Sequence, residues 1–262
     1  MAANETTEQR EFRGYCNAWL EEHKPPATKI PLPQAAYEVT SDDHRTYLVD
    51  WQAKCYEAGL IATDVPKEYG GHGHDKFQQI ASTEVRRANA PYFINWIGLG
   101  MAAPTLLAHG TEEQRKSFLP PIFSGEDIWC QGFSEPGAGS DLVSLQTSAV
   151  KDGDNWVVNG SKVWTSLGHF AKWMLLLART DKNDKYNGIT YFIASMEAQG
   201  VTVQPIHKMT GESGSYEVFL EEVVVPDNYR KHEVGKGWKG AMTTLTNERG
   251  ADPLSRTTLP LD

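Results

Sequence analysis

Cysteine is scarce: Cys16, Cys55 and Cys130 are the only three in 262 residues. They lie far apart and form no Cys-x-x-Cys, which excludes a disulfide framework or cysteine zinc site and points to a reducing compartment. Positive charge is also short. Lys and Arg number 25 against 34 Asp and Glu, a formal net charge of -9, so the chain lacks the clustered cations that a nucleic-acid backbone requires. This argues against nucleic acid as a partner but leaves room for an anionic small molecule held locally. There is no internal repeat, no low-complexity tract and no clean apolar run of membrane-spanning length. The most apolar stretch, Phe93 to His109, is interrupted by Gly and Pro and reads as a buried core helix. The first residues, Met-Ala-Ala-Asn-Glu-Thr-Thr-Glu, carry neither a signal-peptide core nor an Arg-rich transit pattern, so the expected location is cytoplasmic.

What is present can build a substantial core, since 40% of residues are hydrophobic. Phe12, Tyr15, Cys16, Trp19 and Leu20 recur at helical spacing until Pro25-Pro26, and a second helix is expected from Ser41 or Asp42 to Ala58, with Gly59 ending it. Leu60 to Gly73 reads as a loop. Its His72, like His74 just beyond, is expected to be solvated, and no metal is assigned to either. Phe77, Ile80, Ala81 and Val85 mark a third helix, and Thr111-Glu112-Glu113-Gln114 is a capping box opening another. Near Pro120-Pro121 the period changes from helical to alternating and β-branched. Strands are expected over 129–133, 145–150, 155–159, 162–165, 173–179, 189–194, 201–206 and 217–225, which suits an antiparallel β-barrel or sandwich. Helical pattern returns from Trp238 to Arg249 and is lost in the Pro-containing residues after Gly250. The expected class is therefore α+β. An all-α N-terminal domain spans residues 1–123, a β-domain 124–230, and the start of a second helical region 231–262.

Two segments between Trp129 and Gly168 carry the chemistry. Ser134-Glu135-Pro136-Gly137-Ala138-Gly139-Ser140-Asp141 has glycines that let backbone approach a ligand and short hydroxyls at either end. Asn155-Trp-Val-Val-Asn-Gly-Ser-Lys-Val-Trp-Thr165 reads as two strands joined by a tight Asn159-Gly160 turn that returns Trp164 and Ser166 toward the loop. Taken singly, Gly-Ala-Gly reads as only a turn and Trp164 as only a core aromatic.

Together, the loop and the Asn-Gly-x-Lys-x-Trp-x-Ser segment resemble the flavin-binding middle domain of acyl-CoA dehydrogenases. The Val-Pro-Lys-Glu-Tyr-Gly-Gly-His-Gly run resembles that family's N-terminal domain. The resemblance extends from about Phe12 to Arg249 and includes only the first helix of the family's C-terminal bundle, so the chain looks like a truncated or split member. It implies FAD as cofactor and αβ-dehydrogenation of an acyl-CoA thioester, with a carboxylate removing the α-proton and hydride leaving the β-carbon. It further implies that the Phe133 backbone and Ser134 hydroxyl meet the flavin pyrimidine, that Trp164 packs on the ring, and that Ser166 lies near flavin N5. Ser140 would touch CoA, Arg249 would lie near CoA, and Glu248 would be the base, in the position used by isovaleryl- and long-chain-type members. Read without the family, Glu248 is a surface carboxylate pairing with a nearby Lys or Arg. Thr246 departs from the Asp common in the family.

The wording of Lys208-Met209-Thr210-Gly211 and Asn247-Glu248-Arg249 is nearest to bacterial members acting on bulky or branched acyl-CoAs, including steroid side chains. Expected partners are the acyl-CoA substrate, electron-transferring flavoprotein or a similar acceptor, and further subunits of a homo- or hetero-oligomer. Two other readings stand beside dehydrogenation: an oxygen-using acyl-CoA oxidase or flavin monooxygenase of the same fold, and a non-catalytic fragment or binding subunit. If the rest of the bundle is absent, this chain alone is expected to bind FAD weakly.

Overall fold

The computed structural model describes residues 5–29, 31–209 and 214–249. Helix α1 (Thr7–His23) starts at a reciprocal cap, with Thr6 Oγ1 accepting from Gln9 N at 3.2 Å and the Gln9 side chain accepting from Thr6 N at 3.1 Å. Its stripe buries Cys16 and Leu20. Helix α2 (Asp42–Glu57) buries Leu48, Trp51, Gln52 and Cys55, and α3 (Gln78–Arg87) packs against α1. The Thr111 box opens α5 (Glu112–Ser124) as the spacing predicts.

Pro120 and Pro121 do not end α5, which runs on to Ser124 and stops at Gly125 with φ 82°. The apolar stretch before it is helical but irregular. A π-helical turn over Gly98–Ala102 leads into α4 (Ala103–His109). Pro104 has no N–H to offer the Gly100 carbonyl, and a wide turn accommodates that missing bond. His72 is half-buried rather than solvated: its ring lies edge-on to Tyr56 with centroids 6.3 Å apart, and a Cβ added at Gly59 would meet it at 3.5 Å.

Among the described residues eight strands follow: β1 (Trp129–Gly132), β2 (Ser148–Asp152), β3 (Asn155–Ser166), β4 (Trp173–Arg179), β5 (Ile189–Ser195), β6 (Val201–Ile206), β7 (Ser215–Pro226) and β8 (Arg230–Lys231). They form one sheet in the order β6-β7-β3-β2-β4-β5-β8, with β1 also on β4. The sheet does not close into a barrel. It is not wholly antiparallel either, because β1 and β2 both run parallel to β4. One core lies between sheet and helices, where Leu175, Leu177, Tyr191 and Ile193 meet Phe118, Leu106 and Ala102. A second is enclosed by the curled sheet around Trp156, Met174, Phe192 and Val218. Helix α6 (Gly237–Arg249) returns to lie on β5, α4 and the π turn.

Two expectations about strands need correction. Asn159-Gly160 is not a hairpin turn: β3 runs unbroken from Asn155 to Ser166 and pairs with β7 along its length, with irregular register between Val158 and Gly160. Gly160 serves close approach instead, since a Cβ there would lie 2.5 Å from Thr147 Oγ1 and 2.7 Å from its Cα. The strand expected over 145–150 begins only at Ser148. The segment before it is a 3-10 turn over Leu142–Ser144 whose neighbouring carbonyls are drawn aside by Arg179, at 2.6 Å for Val143 and 3.0 Å for Leu145.

A buried amide pair ties the helices to the sheet. Asn95 donates to the carbonyls of Ile122 (3.1 Å) and Asp127 (2.8 Å), accepts from Trp129 N (3.0 Å), and donates its own N–H to Gln52 Oε1 (3.2 Å). Gln52 also donates to Ile122 and Phe123 carbonyls at 3.0 and 3.2 Å. The start of β1 is thereby fixed relative to α2 and α5.

Candidate functional site

Strand β1 delivers Phe133 and then the glycine-rich loop. The Phe133 ring turns into the core, edge-on to Tyr191 at 5.7 Å, and its carbonyl is taken by Lys162, so the Ser134 N–H that follows is the donor open to a ligand. At Ser134 the loop meets β3: the Ser134 carbonyl accepts the Val163 N–H at 2.9 Å. One bond therefore sets Ser134 against the segment carrying Trp164 and Ser166.

Trp164 sits in an irregular stretch of the β3–β7 pairing, with φ 62°, a left-handed conformation unfavourable for a bulky residue. Its side chain is 60% exposed. A strained backbone that presents a largely exposed indole makes Trp164 a candidate ligand-stacking position.

Glu135 turns inward at the start of the loop, and its N–H and carbonyl both bond Ala138, at 2.8 and 3.1 Å, closing a tight turn over Pro136-Gly137. Its carboxylate meets Lys162, whose Nζ lies 2.8 Å from Glu135 Oε1 and 3.2 Å from the Phe133 carbonyl, with the Lys162 side chain 0% exposed. The same carboxylate accepts Gln146 N at 2.6 Å and Thr147 N at 2.9 Å, so one acidic side chain pins both ends of the loop. Burial holds the Lys162 ammonium below its ordinary pKa. Burial also opposes the Glu135 charge, but Lys162 and the N–H donors outweigh it and hold that carboxyl below the usual carboxylate range. Arg179 completes the anchoring from the far side through bonds to backbone carbonyls alone.

The loop's outer side is open. A Cβ added at Gly137 or Gly139 meets nothing within 4 Å, so the chain's own packing does not demand glycine at either position. The Ser134 N–H, the Ser134 hydroxyl and the Ser166 hydroxyl have no hydrogen-bond partner among the described residues. Free donors, a bare indole and a backbone cleared of side chains suit a flat heteroaromatic ligand with edge acceptors, and FAD fits that description.

Ser140 is exposed on the outer part of the loop. Glu248 is exposed near the end of α6, one helical turn beyond Thr244, and makes no ion pair among the described residues. The Arg249 side chain, Thr210, Gly211 and residues 250–262 lie outside the described residues. Among the described residues no three His, Cys, Asp or Glu side chains converge as a metal-binding group, and no helix is long and apolar enough to cross a membrane.

Glu135, Lys162 and Arg179 are the residues that sequence reasoning passed over. The signal was available for Lys162: β3 buries Trp156, Val158, Lys162 and Thr165, so a lysine stands at an inward-facing position of a strand, which calls for a buried partner.

Known proteins supply an independent comparison. Residues 130–223 match the acyl-CoA dehydrogenase middle domain and residues 6–126 match the acyl-CoA dehydrogenase N-terminal domain. Acyl-CoA dehydrogenase IpdE1 of Mycobacterium tuberculosis is 42% identical over 208 residues, covering 79% of this chain and 54% of that protein. Acyl-CoA dehydrogenase FadE34 of the same organism is 44% identical over 204 residues, covering 76% of this chain and 28% of that protein. Among solved structures, a steroid ACAD described as Tcur3481-Tcur3483 superposes with TM-score 0.75 at 32% identity, covering 95% of this chain and 63% of that one. The ChsE4-ChsE5 complex of M. tuberculosis superposes with TM-score 0.72 at 33% identity, covering 94% and 61%. The chain thus spans about half the length of the IpdE1 relative that it matches.

Proposed function

This chain belongs to the acyl-CoA dehydrogenase family, and from that premise we propose that it forms the FAD-binding part of an enzyme carrying out αβ-dehydrogenation of an acyl-CoA thioester. The observation that supports the reading is the Ser134–Val163 bond, which ties the residue with unpartnered donors to the strand that carries the exposed Trp164 and the half-buried Ser166. In this reading the Ser134 N–H and hydroxyl hold the pyrimidine edge, the Phe133 backbone borders it, and the Trp164 indole covers the ring. FAD supplies the hydride acceptor. The Ser166 hydroxyl donates toward the N5 position, where a hydrogen bond favours the charge that builds during reaction. The Glu248 carboxylate takes the α-proton, Ser140 and Arg249 contact CoA, and the folded units divide at about residues 123 and 230.

The chain works within an oligomer. Similarity to two solved assemblies whose descriptions name two components supports a second, different chain completing the site, and the steroid ACAD supports a bulky acyl group as substrate. Electrons then pass to electron-transferring flavoprotein or a similar acceptor in the cytoplasm.

The test is an absorption spectrum of the purified protein before and after adding FAD, followed by anaerobic addition of an acyl-CoA panel that includes steroid side-chain thioesters. A flavin spectrum bleached by one class of thioester supports the proposal. A flavin spectrum that no thioester bleaches, with or without the partner chain, overturns the dehydrogenase reading. Fast reoxidation of the bleached form by air assigns the chain to the oxygen-using members instead.

A further inference from the structure

The Phe133–Ser134 peptide is trans, as are all peptides among the described residues. In a planar trans peptide the carbonyl and the next N–H point in opposite directions. The Phe133 carbonyl is directed inward, where Lys162 Nζ donates to it at 3.2 Å. The Ser134 N–H is therefore directed outward, toward the open side of the loop, and it has no partner among the described residues. Resting on the FAD reading above, we propose that Lys162 is a positioning residue: its buried ammonium holds the Phe133–Ser134 peptide plane so that the Ser134 N–H stands aimed at an acceptor on the flavin pyrimidine edge before the cofactor arrives.

A hydrophobic side chain at 162 could fill the same space but could not hold the carbonyl. A free peptide plane can turn, and in the turned state it would present an oxygen to the pyrimidine oxygens in place of a donor. Glu135 explains how a charge can be kept at this depth. Its Oε1 lies 2.8 Å from Nζ, and its other bonds go to Gln146 N and Thr147 N, so the carboxylate facing the ammonium is held by protein donors on both oxygens. An interior pair of this kind contributes little to stability compared with an apolar pair of the same volume, whereas removing one partner alone leaves a buried charge. A role in orientation accounts for the pair where stability does not. Distance separates this role from catalysis: Lys162 is fully buried beneath the loop and reaches the ligand only through the peptide it holds.

The experiment compares wild type with the double substitution Lys162→Met plus Glu135→Gln in the full chain, together with its partner chain if FAD binding requires one. The double variant keeps side-chain volume and leaves no buried charge uncompensated. The amide oxygen introduced at position 135 can accept one of the two loop N–H groups, Gln146 N or Thr147 N, that the two carboxylate oxygens hold separately in wild type. The readouts are the melting temperature without FAD, the FAD dissociation constant by calorimetry, and the 1H–15N resonance of the Ser134 amide on addition of FAD. The expected result is a melting temperature within a few degrees of wild type, an FAD dissociation constant raised at least tenfold, and a Ser134 amide that moves downfield on FAD addition in wild type but not in the variant. A variant that melts like wild type, binds FAD equally well and shifts the Ser134 amide equally overturns the positioning role and leaves the FAD reading intact. A variant whose melting temperature falls while affinity and amide shift are unchanged assigns the pair to stability alone and overturns the proposal. Absence of any FAD binding by wild type with the partner supplied overturns both.

Discussion

The hydroxyls of Tyr191 and Thr244 hydrogen-bond at 2.9 Å, and through them β5 is tied to α6. Thr105 of α4 joins the same hydroxyl of Thr244 at 2.9 Å, while the other side of Tyr191 bears on Phe133. The register of the C-terminal helix is thus referred through one aromatic ring to the loop at the candidate site. Thr244→Val keeps the shape and leaves two buried hydroxyls without their shared partner. It should lower stability by roughly 1 to 3 kcal/mol, seen as an earlier thermal transition. An unchanged transition would mean that the helix is held by its apolar contacts alone.

Glu248, one turn further on, should behave in the opposite way. Its side chain is exposed and unpaired among the described residues, so Glu248→Gln should move stability by less than about 0.5 kcal/mol. If it is the base, the same change should lower the rate of α-proton removal by roughly two to four powers of ten, measured by exchange of the α-proton with deuterated solvent in the assembled enzyme. A variant with undiminished exchange would return Glu248 to the surface.

Trp164 offers a separation of stability from binding. Its φ of 62° costs a non-glycine residue roughly 1 to 2 kcal/mol, and its ring is largely exposed. Trp164→Gly removes that cost, offset by the greater freedom of glycine in the unfolded chain. The variant should melt at or slightly above the wild-type temperature and bind FAD more weakly. A marked loss of stability would show that the indole is used for packing.

Lys231 carries a pH dependence whose sign can be worked out. It is 1% exposed, its Nζ has no hydrogen-bond partner among the described residues, and the groups that bear on it are the Tyr191 ring, Arg115 of α5, His109 of α4 and His232 beside it, none of them acidic, with Lys239 of α6 bearing on the two histidines. Burial first, and then Arg115, lower its pKa from 10.5 to about 7. Between those values the unfolded chain holds a proton that the folded chain does not, so this group's contribution to stability rises with pH from about 7 to about 10. Lys231→Met removes that dependence. The variant should be more stable than wild type at pH 7, and the gap should narrow at pH 9 in paired thermal melts. A gap that widens with pH would contradict the assignment.

Much of the helical part was legible because its signals are local. The Thr111 cap, the α2 boundaries and the stripe burying Cys16 and Leu20 each depend on residues within a turn or two of one another. The candidate cluster of Ser134, Trp164 and Ser166 could be named because the motif is long, but the bond that joins its halves spans Ser134 to Val163 and has no local signature. Gly160 misled for the same reason. Asn-Gly is the strongest short-range turn signal, yet the glycine answers to Thr147 on a neighbouring strand. The π turn at Gly98–Ala102 and the Glu135–Lys162 pair likewise depend on partners that only the folded chain brings together.

The open sheet bears on self-association. The free margins are β6, in which Pro205 removes a backbone donor, β8, only two residues long, and β1, four residues paired with β4 alone. None of them offers an incoming strand a long uninterrupted row of donors and acceptors, which is what seeds ribbon-like stacking between copies. Concentrated protein should therefore resist fibre growth through its sheet margins, and any self-association should be governed by side-chain surfaces, sensitive to salt and detergent, with no new β signal in its circular dichroism.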